Sequence, residues 1–129
     1  LPKTILYPLD GTKIETWAIL AAGFCDNGTK AKVQLGAPWW FNDQAFGTQR
    51  QFEACANLYP VLLSVGMLTD SRSFISYPRH ELYRRVLCSY LGSLVERGEY
   101  FSGEEELKKI IENVCFNNVN EFFDFKVEI

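Results

Sequence analysis

Apolar and polar positions follow two different periods along the chain, and each change of period marks a change of element. Thr4-Ile5-Leu6-Tyr7 is a short, partly β-branched apolar run ahead of the Gly11-Thr12 break, and it reads as a strand. Thr12 and Glu15 stand at capping-box spacing, after which Ile14, Trp17, Ala18 and Ala21 recur on one helical face that ends near Gly23. Behind the turn signal Asp26-Asn27-Gly28, Ala31, Val33, Leu35 and Ala37 alternate with Lys32, Gln34 and Gly36, which is strand periodicity. A second helix is expected over about 46–58, with Phe46, Gln49, Phe52 and Cys55 or Ala56 inward, and Pro60 blocks its continuation. Residues 61–68 are then an apolar run, which suits a third strand covered on both faces.

Beyond this run only the helical period remains. Pro78 suits a first turn, and Leu82, Tyr83, Val86, Leu87, Tyr90, Leu91, Leu94 and Val95 form an inner stripe. Glu81, Arg84, Arg85, Ser89, Glu96 and Arg97 are left outside, and Gly98 is placed to end the helix. Ser102 and Glu105 make a second capping box, followed by an inner face of Leu107, Ile110, Ile111, Val114 and Cys115. The tail over 116–129 is aromatic and too apolar for a solvated linker. The order β-α-β-α-β-α-α implies an α/β fold with parallel pairing through right-handed crossovers, either a barrel or a doubly wound sheet, although three strands are few for both.

Composition narrows the function classes. A chain of 129 residues with 47% hydrophobic content fits one domain, over 1–129, with an adequate core. A formal charge of -3 and a pI near 5.2 give no footprint for nucleic acid or an anionic membrane surface. No apolar stretch is long enough to cross a bilayer, and the first residues lack a signal-peptide layout. The chain begins without Met, so it is expected to be a piece of something longer. Cys25, Cys55, Cys88 and Cys115 lie far apart beside a single His, which argues for buried thiols in a reducing, cytoplasmic setting rather than a zinc site or a disulfide framework. Dinucleotide, Walker, nucleophile-elbow and zincin motifs are all missing.

Candidate chemistry sits where the apolar run 61–68 gives way to Thr69-Asp70-Ser71-Arg72-Ser73. An acid, an alcohol and a guanidinium at the C-terminal end of a strand are placed as reactive residues are in α/β barrels. The competing reading is that Asp70 with Ser71 and Ser73 caps a turn or helix. A second switch of the same kind, Ala37-Pro38-Trp39-Trp40-Phe41-Asn42-Asp43, favours the first.

Five blocks carry a resemblance to a known family: residues 1–7, Trp39-Trp40-Phe41-Asn42-Asp43-Gln44, the block 66–74, Arg79-His80-Glu81 with Arg84-Arg85, and Cys115-Phe116-Asn117-Asn118. In this order and spacing they resemble the C-terminal part of uronate isomerase, also called glucuronate isomerase. The resemblance implies the C-terminal portion of a distorted (β/α)8 barrel of TIM type in the amidohydrolase superfamily, its strands six to eight followed by C-terminal helices. The implied activity is aldose-ketose isomerisation, of glucuronate to fructuronate and of galacturonate to tagaturonate. Implied partners are a uronic acid sugar, the N-terminal barrel part and further copies in a homo-oligomer.

The same resemblance implies residue roles. Asp70 would face a zinc or other divalent metal as its ligand and shuttle a proton, tasks that suit a carboxylate. Arg72 would bind the sugar acid or a developing enediolate, for which a permanently charged fork is suited. Trp40, with Trp39 beside it, would cover the sugar, although Trp39 is expected to be core. The His-x-His of the metal site belongs to the N-terminal part, His80 cannot replace it, and no metal is expected to bind tightly to this chain alone. Arg79, His80, Arg84 and Arg85 match family positions but read as a solvated or paired helix face; Asn117 and Asn118 read as weak candidates or C-caps. The alternative is a small stand-alone binding module that keeps the sequence of the barrel's end without its chemistry.

Overall fold

The computed structural model describes residues 1–25, 28–58, 60–101 and 103–128. Strands β1 (Thr4–Leu6) and β2 (Val33–Leu35) pair in parallel, with Thr4 opposite Val33 and Leu6 opposite Leu35. Parallel neighbours need a crossover, and α1 (Ile14–Ala22) supplies it. The helix buries Ile14, Ala18 and Ala21 as its periodicity predicts. Trp17 differs: it remains 37% exposed, because the small side chains of Ala18 and Ala21 bring the helix close and leave the indole at the margin. The start of α1 also differs from the Thr12–Glu15 box. The Asp10 carboxylate accepts hydrogen bonds from Thr12 N (2.9 Å) and Thr12 Oγ1 (2.7 Å), capping a 3₁₀ turn over Gly11–Lys13 that runs into α1. Asp26 and Asn27 of the turn signal, and Ser102 of the second capping box, lie outside the described residues.

All of β2 is buried, Gln34 included, as expected of a strand covered on both faces. A buried primary amide must find partners. Gln34 Nε2 donates to Ala31 O (3.0 Å), and Gln34 Oε1 accepts from Val65 N (2.8 Å).

That second bond bears on the expected third strand, which does not form. Residues 61–68 open with a 3₁₀ turn (Val61–Leu63) after Pro60, and the stretch that follows joins no sheet. Side chains take the place of a ladder: Gln34 meets Val65 N, while Asn118 Nδ2 donates to Leu62 O (3.0 Å) and Ser64 O (2.9 Å). Gly66, at φ +71, turns the backbone where a strand would continue. A Cβ there would also stand 2.2 Å from Val114 O. The run is buried at Val61 and over 64–66, with Leu63 exposed, and its partners are amide side chains rather than a neighbouring strand.

Helix α2 (Ala45–Ala56) begins at Gln44, whose Oε1 accepts from Gly47 N (2.7 Å). Its inner face is rotated from the expected stripe. Gly47, Thr48, Gln51, Phe52 and Cys55 are buried and Phe46 is 73% exposed. Two contacts impose this rotation: Gln51 Nε2 donates to Gly36 O (2.8 Å), and Gly47 lies so close to Asn42 that a Cβ would be 2.2 Å from Asn42 O. Helix α3 (Pro78–Glu96) buries Tyr83, Leu87, Tyr90 and Leu91, with Leu82 and Val95 at its margins. Phe52 packs between Tyr83, edge-on at 5.5 Å, and Tyr90, stacked at 5.4 Å. Gly98, at φ +70, closes the helix as predicted.

Helix α4 (Glu104–Glu112) continues through a π turn over Asn113–Asn117 into α5 (Asn118–Phe123). Lys3 Nζ donates to Phe122 O (2.6 Å), which ties the end of α5 to the start of β1. The four cysteines are free thiols; Cys55 is buried and Cys115 half-buried, but Cys25 and Cys88 are exposed, unlike the expectation for all four. Burial pushes the Cys55 thiol up to about 12. Among the described residues no helix is long and apolar enough to cross a membrane.

Replacing Gln34 by Leu should strand the buried N–H of Val65 and the carbonyl of Ala31, at a cost of about 1–3 kcal/mol in stability. Urea unfolding of the two proteins checks this. An unchanged midpoint would mean that other groups satisfy Val65.

Candidate active site

Parallel strands end on the same side, so the chain segments that follow them meet. Tyr7 follows β1 directly, residues 36–38 lead from β2 to Trp39 and Trp40, and the 64–69 stretch ends at Asp70. Trp39, Trp40, Phe41, Asp43, Thr69, Asp70, Ser71 and Arg79 line an open cleft of about 330 Å³ at this place. A wider cleft of about 640 Å³ between the ends of α2 and α3 is walled mainly by groups such as Leu62, Tyr90, Leu91 and Leu94, and holds none of the candidate residues.

The backbone is unusual at two points of the smaller cleft. Trp40 has φ 51 and Asp70 has φ 45, both in the left-handed region. Each such residue costs on the order of 1–3 kcal/mol and persists only where its surroundings hold it. Asp tolerates this conformation better than Trp. The turns lift the carboxylate and the indole away from the core, and Trp40 is 64% exposed. Trp39 is half-buried beside it, edge-on to Tyr7 at 6.2 Å and tilted against Trp40 at 6.0 Å.

Capping of the following turn falls to the serines and not to Asp70. Ser71 Oγ accepts from Ser73 N (3.1 Å), Ser73 Oγ accepts from Ile75 N (3.3 Å), and Ser76 Oγ donates to Ser71 Oγ (2.6 Å). Asp70 is exposed, and its carboxylate takes no hydrogen bond or ion pair from the described residues. Its charge nevertheless reaches Tyr7. Burial first, and then the negative charge of Asp70, hold the Tyr7 phenol above its ordinary range. The Tyr7 ring lies on Gly36, where a Cβ would stand 2.2 Å from Tyr7 Cε1.

Arg79 is paired, one of the two expected alternatives, but it lines the cleft rather than an outer helix face. Its side chain is only 27% exposed; Nη1 donates to Thr69 O (2.7 Å), and Nη2 pairs with Asp43 Oδ2. Arg84 and Arg85 do behave as a paired face, bonding Glu81 at 3.0 and 2.8 Å. His80 lies outside the cleft, in a cavity of about 200 Å³ shared with Met67, Leu68 and Cys115. Burial, then the charges of Arg84 and Arg79, lower its pKa. Arg72 is exposed and is not among the lining residues. Asn118 is neither a cap nor a site residue, since its amide is committed to Leu62 and Ser64; Asn117 bonds Asn113 (2.9 Å).

The structure thus brings Trp39, Trp40 and Asp70 together with Tyr7, Asp43 and Arg79, whereas Arg72 is exposed and does not line the cleft. Tyr7 was discoverable from its place directly after a strand end. Asp43 and Arg79 lay inside the family-like blocks, but their pairing joins residues far apart in the chain and has no local signal. Among the described residues no group of three or more His, Cys, Asp or Glu is placed to hold a metal ion.

The sequence profile of glucuronate isomerase matches residues 1–123. The chain belongs to that family. It is 47% identical over 123 residues to the uronate isomerase of Clostridium perfringens, and 49% identical over 123 residues to that of Photorhabdus laumondii. Each match covers 95% of this chain but 26% of the relative, so the chain spans about a quarter of these proteins' length. The crystal structure of uronate isomerase from Thermotoga maritima superposes with a TM-score of 0.82 at 34% identity, covering 94% of this chain and 25% of that one. Glucuronate isomerase from Caulobacter crescentus gives 0.83 at 26% identity, covering 99% and 26%.

His80 makes a pH prediction. Its folded-state pKa lies below the unfolded value of about 6.5, so folding disfavours the charged ring. Its contribution is therefore intact above about pH 6.5 and is lost as pH falls through the lowered folded value. Urea midpoints at about pH 7.5 and 5.5 should fall for the wild type and fall less for His80→Gln. Equal drops would rule out a buried neutral imidazole at this position.

Proposed function

We propose that this chain forms the C-terminal quarter of a uronate isomerase barrel and supplies one side of its active-site face. The observation that carries the reading is the unpaired Asp70 carboxylate beside Trp39 and Trp40, at the C-terminal side of parallel strands, in a chain whose relatives are uronate isomerases. The substrate class is a hexuronate, and the reaction moves hydrogen between neighbouring carbons of an aldose and a ketose. Asp70 is suited to hold and return the proton, because its carboxylate lines the cleft with no hydrogen-bond or ion-pair partner among the described residues and is open to a bound sugar. Trp40 offers an apolar face and one N–H to the sugar. Arg72, exposed two residues after Asp70, carries a guanidinium suited to a carboxylate or enediolate, which it recognises through paired hydrogen bonds.

The family implies a divalent metal such as zinc. A free carboxylate fits as one donor, but a catalytic centre needs about three protein ligands, and the described residues gather no such set. On this reading Asp70 is the donor offered by the described residues, and the other donors fall to the N-terminal part. When bound, the cation would polarise sugar oxygens.

The deciding experiment mixes this chain with the N-terminal part of a uronate isomerase and follows conversion of glucuronate to its ketose. Activity should appear, vanish with Asp70→Asn, and fall by about one to two decades in kcat/KM with Arg72→Lys, as expected for loss of a charge-assisted bond of about 1.5–3 kcal/mol. Near wild-type efficiency in Arg72→Lys would remove Arg72 from substrate binding.

The same reading makes a prediction about the chain by itself. β1 pairs only with β2 among the described residues, and Trp17, Ile19, Leu20 and Phe24 stay exposed along and just beyond α1. Open edges and apolar faces recruit partners. Sedimentation should show self-association of the chain alone, reduced when the N-terminal part is present. A monodisperse monomer at high concentration would favour a stand-alone module.

A further inference from the structure

Two loops carry the candidate site, and they belong to different parts of the chain. The first runs from the end of β2 through Trp39 and Trp40 to Asp43; the second is the Thr69-Asp70 turn. No hydrogen bond between their own backbones is recorded among the described residues. The side chain of Arg79, from the first turn of α3, spans them: Nη1 donates to Thr69 O at 2.7 Å and Nη2 pairs with the Asp43 carboxylate. Thr69 adjoins Asp70, at φ 45, and Asp43 ends the turn that begins at Trp40, at φ 51.

We propose that Arg79 is a positioning residue for the isomerase site, a planar clamp that fixes the Trp40 loop and the Asp70 turn at one separation and in their left-handed conformations. The argument rests on the functional reading above only for its catalytic consequence; the mechanical link stands on the geometry. Arg79 lines the cleft, yet both contacts point to protein groups, so it acts through Asp70 and Trp40. A guanidinium suits this task because its donors diverge in a fixed plane and reach two acceptors at once. A Lys ammonium is a point charge, and one Nζ at the end of a flexible stem would have to choose between Asp43 and Thr69. The pair is three-quarters buried, so solvent does not compete freely for either end.

The linkage makes Asp43 and Arg79 a unit, so their substitutions should not add. Removing Arg79 frees the Asp70 turn and the Trp40 loop together. Removing the charge of Asp43 frees the loop but leaves the bond to Thr69.

The test has two arms. In the first, the 129-residue chain with Trp17→Phe, which leaves only the two cleft indoles, is titrated with acrylamide. Arg79→Met should raise the quenching constant of Trp39 and Trp40 by about two-fold, and Arg79→Lys should give an intermediate value. In the second, the same variants are assayed in the complex with the N-terminal part. Arg79→Met should lower kcat/KM at least ten-fold, with kcat falling because the catalytic carboxylate is misplaced and KM rising because the Trp40 face is no longer held against the sugar. Asp43→Asn should lower kcat less, and the double variant should be no worse than Arg79→Met. Unchanged quenching in Arg79→Met, wild-type values throughout in Arg79→Lys, or a loss confined to thermal stability with kcat per folded molecule intact would each overturn the clamp. An inactive wild-type complex would count against the isomerase reading, while the quenching arm would still decide whether Arg79 holds the loops.

Discussion

The buried amide of Gln34 is the contact on which the site's position depends. A two-stranded sheet of three-residue strands has few ladder bonds, and the segment that carries Asp70 is not part of it. What joins that segment to the sheet is one side chain, which accepts from Val65 N and is held at its other end by Ala31 O. Because Gln34 is fully buried, water does not replace either bond, and the low dielectric strengthens both. From Val65 the chain has only Gly66, Met67, Leu68 and Thr69 to cross before Asp70. An error at Val65 therefore passes almost undamped to the carboxylate.

A second set of amide contacts holds the same segment from the opposite side. Asn118 binds the carbonyls of Leu62 and Ser64, and the Val114 carbonyl sits where any side chain at Gly66 would be. Asn118 starts α5, and Val114 belongs to the π turn that precedes it. π turns shift the register of a helix by one residue and are frequent near functional sites. Here the shifted register lets a carbonyl and an amide reach one segment from consecutive turns. The C-terminal helices thus act on the site indirectly, through the floor beneath it. Polar side chains recur in this role across the chain: Gln51 ties α2 to Gly36, and Asn42 ties the Trp40 turn to Leu9 O at 3.2 Å.

How much of this could be read from the sequence depends on the range of the interaction. Helices α1 to α4 were legible because an apolar stripe at 3.6-residue spacing is a local pattern, and the burial of Tyr83, Leu87, Tyr90 and Leu91 follows it. The place of Trp39 and Trp40 was legible too, because they follow the end of β2, whereas Asp70 reaches the same cleft although the strand expected to deliver it does not form. Three features were not. Residues 61–68 have the hydrophobicity of a buried strand, but hydrophobicity reports burial and not whether the backbone's partner is a strand or an amide. The face of α2 was misassigned because Phe46 is more apolar than Gly47, whereas contact with Asn42 selects for the absence of a side chain. Arg79 read as part of a solvated or paired helix face outside the site, because the partners that draw it into the cleft lie 36 residues before it and 10 residues before it, outside any local window.

These facts separate the shape of the site from its chemistry. The contacts that set the places of Trp40 and Asp70 all arise within this chain: Gln34 to Val65, Asn118 to Leu62 and Ser64, Asn42 to Leu9, and Arg79 to Thr69 and Asp43. The left-handed residues Trp40 and Asp70 accordingly lie among contacts that join distant parts of this chain. Chemistry has the opposite dependence. On the proposed reading, a carboxylate and two indoles in an open cleft would leave most of a sugar acid's surface uncovered and exposed to water, which weakens every charge interaction. A chain that spans a quarter of its relatives' length would then prepare its share of the site, and the enclosure and the other donors would have to come from the remaining three quarters.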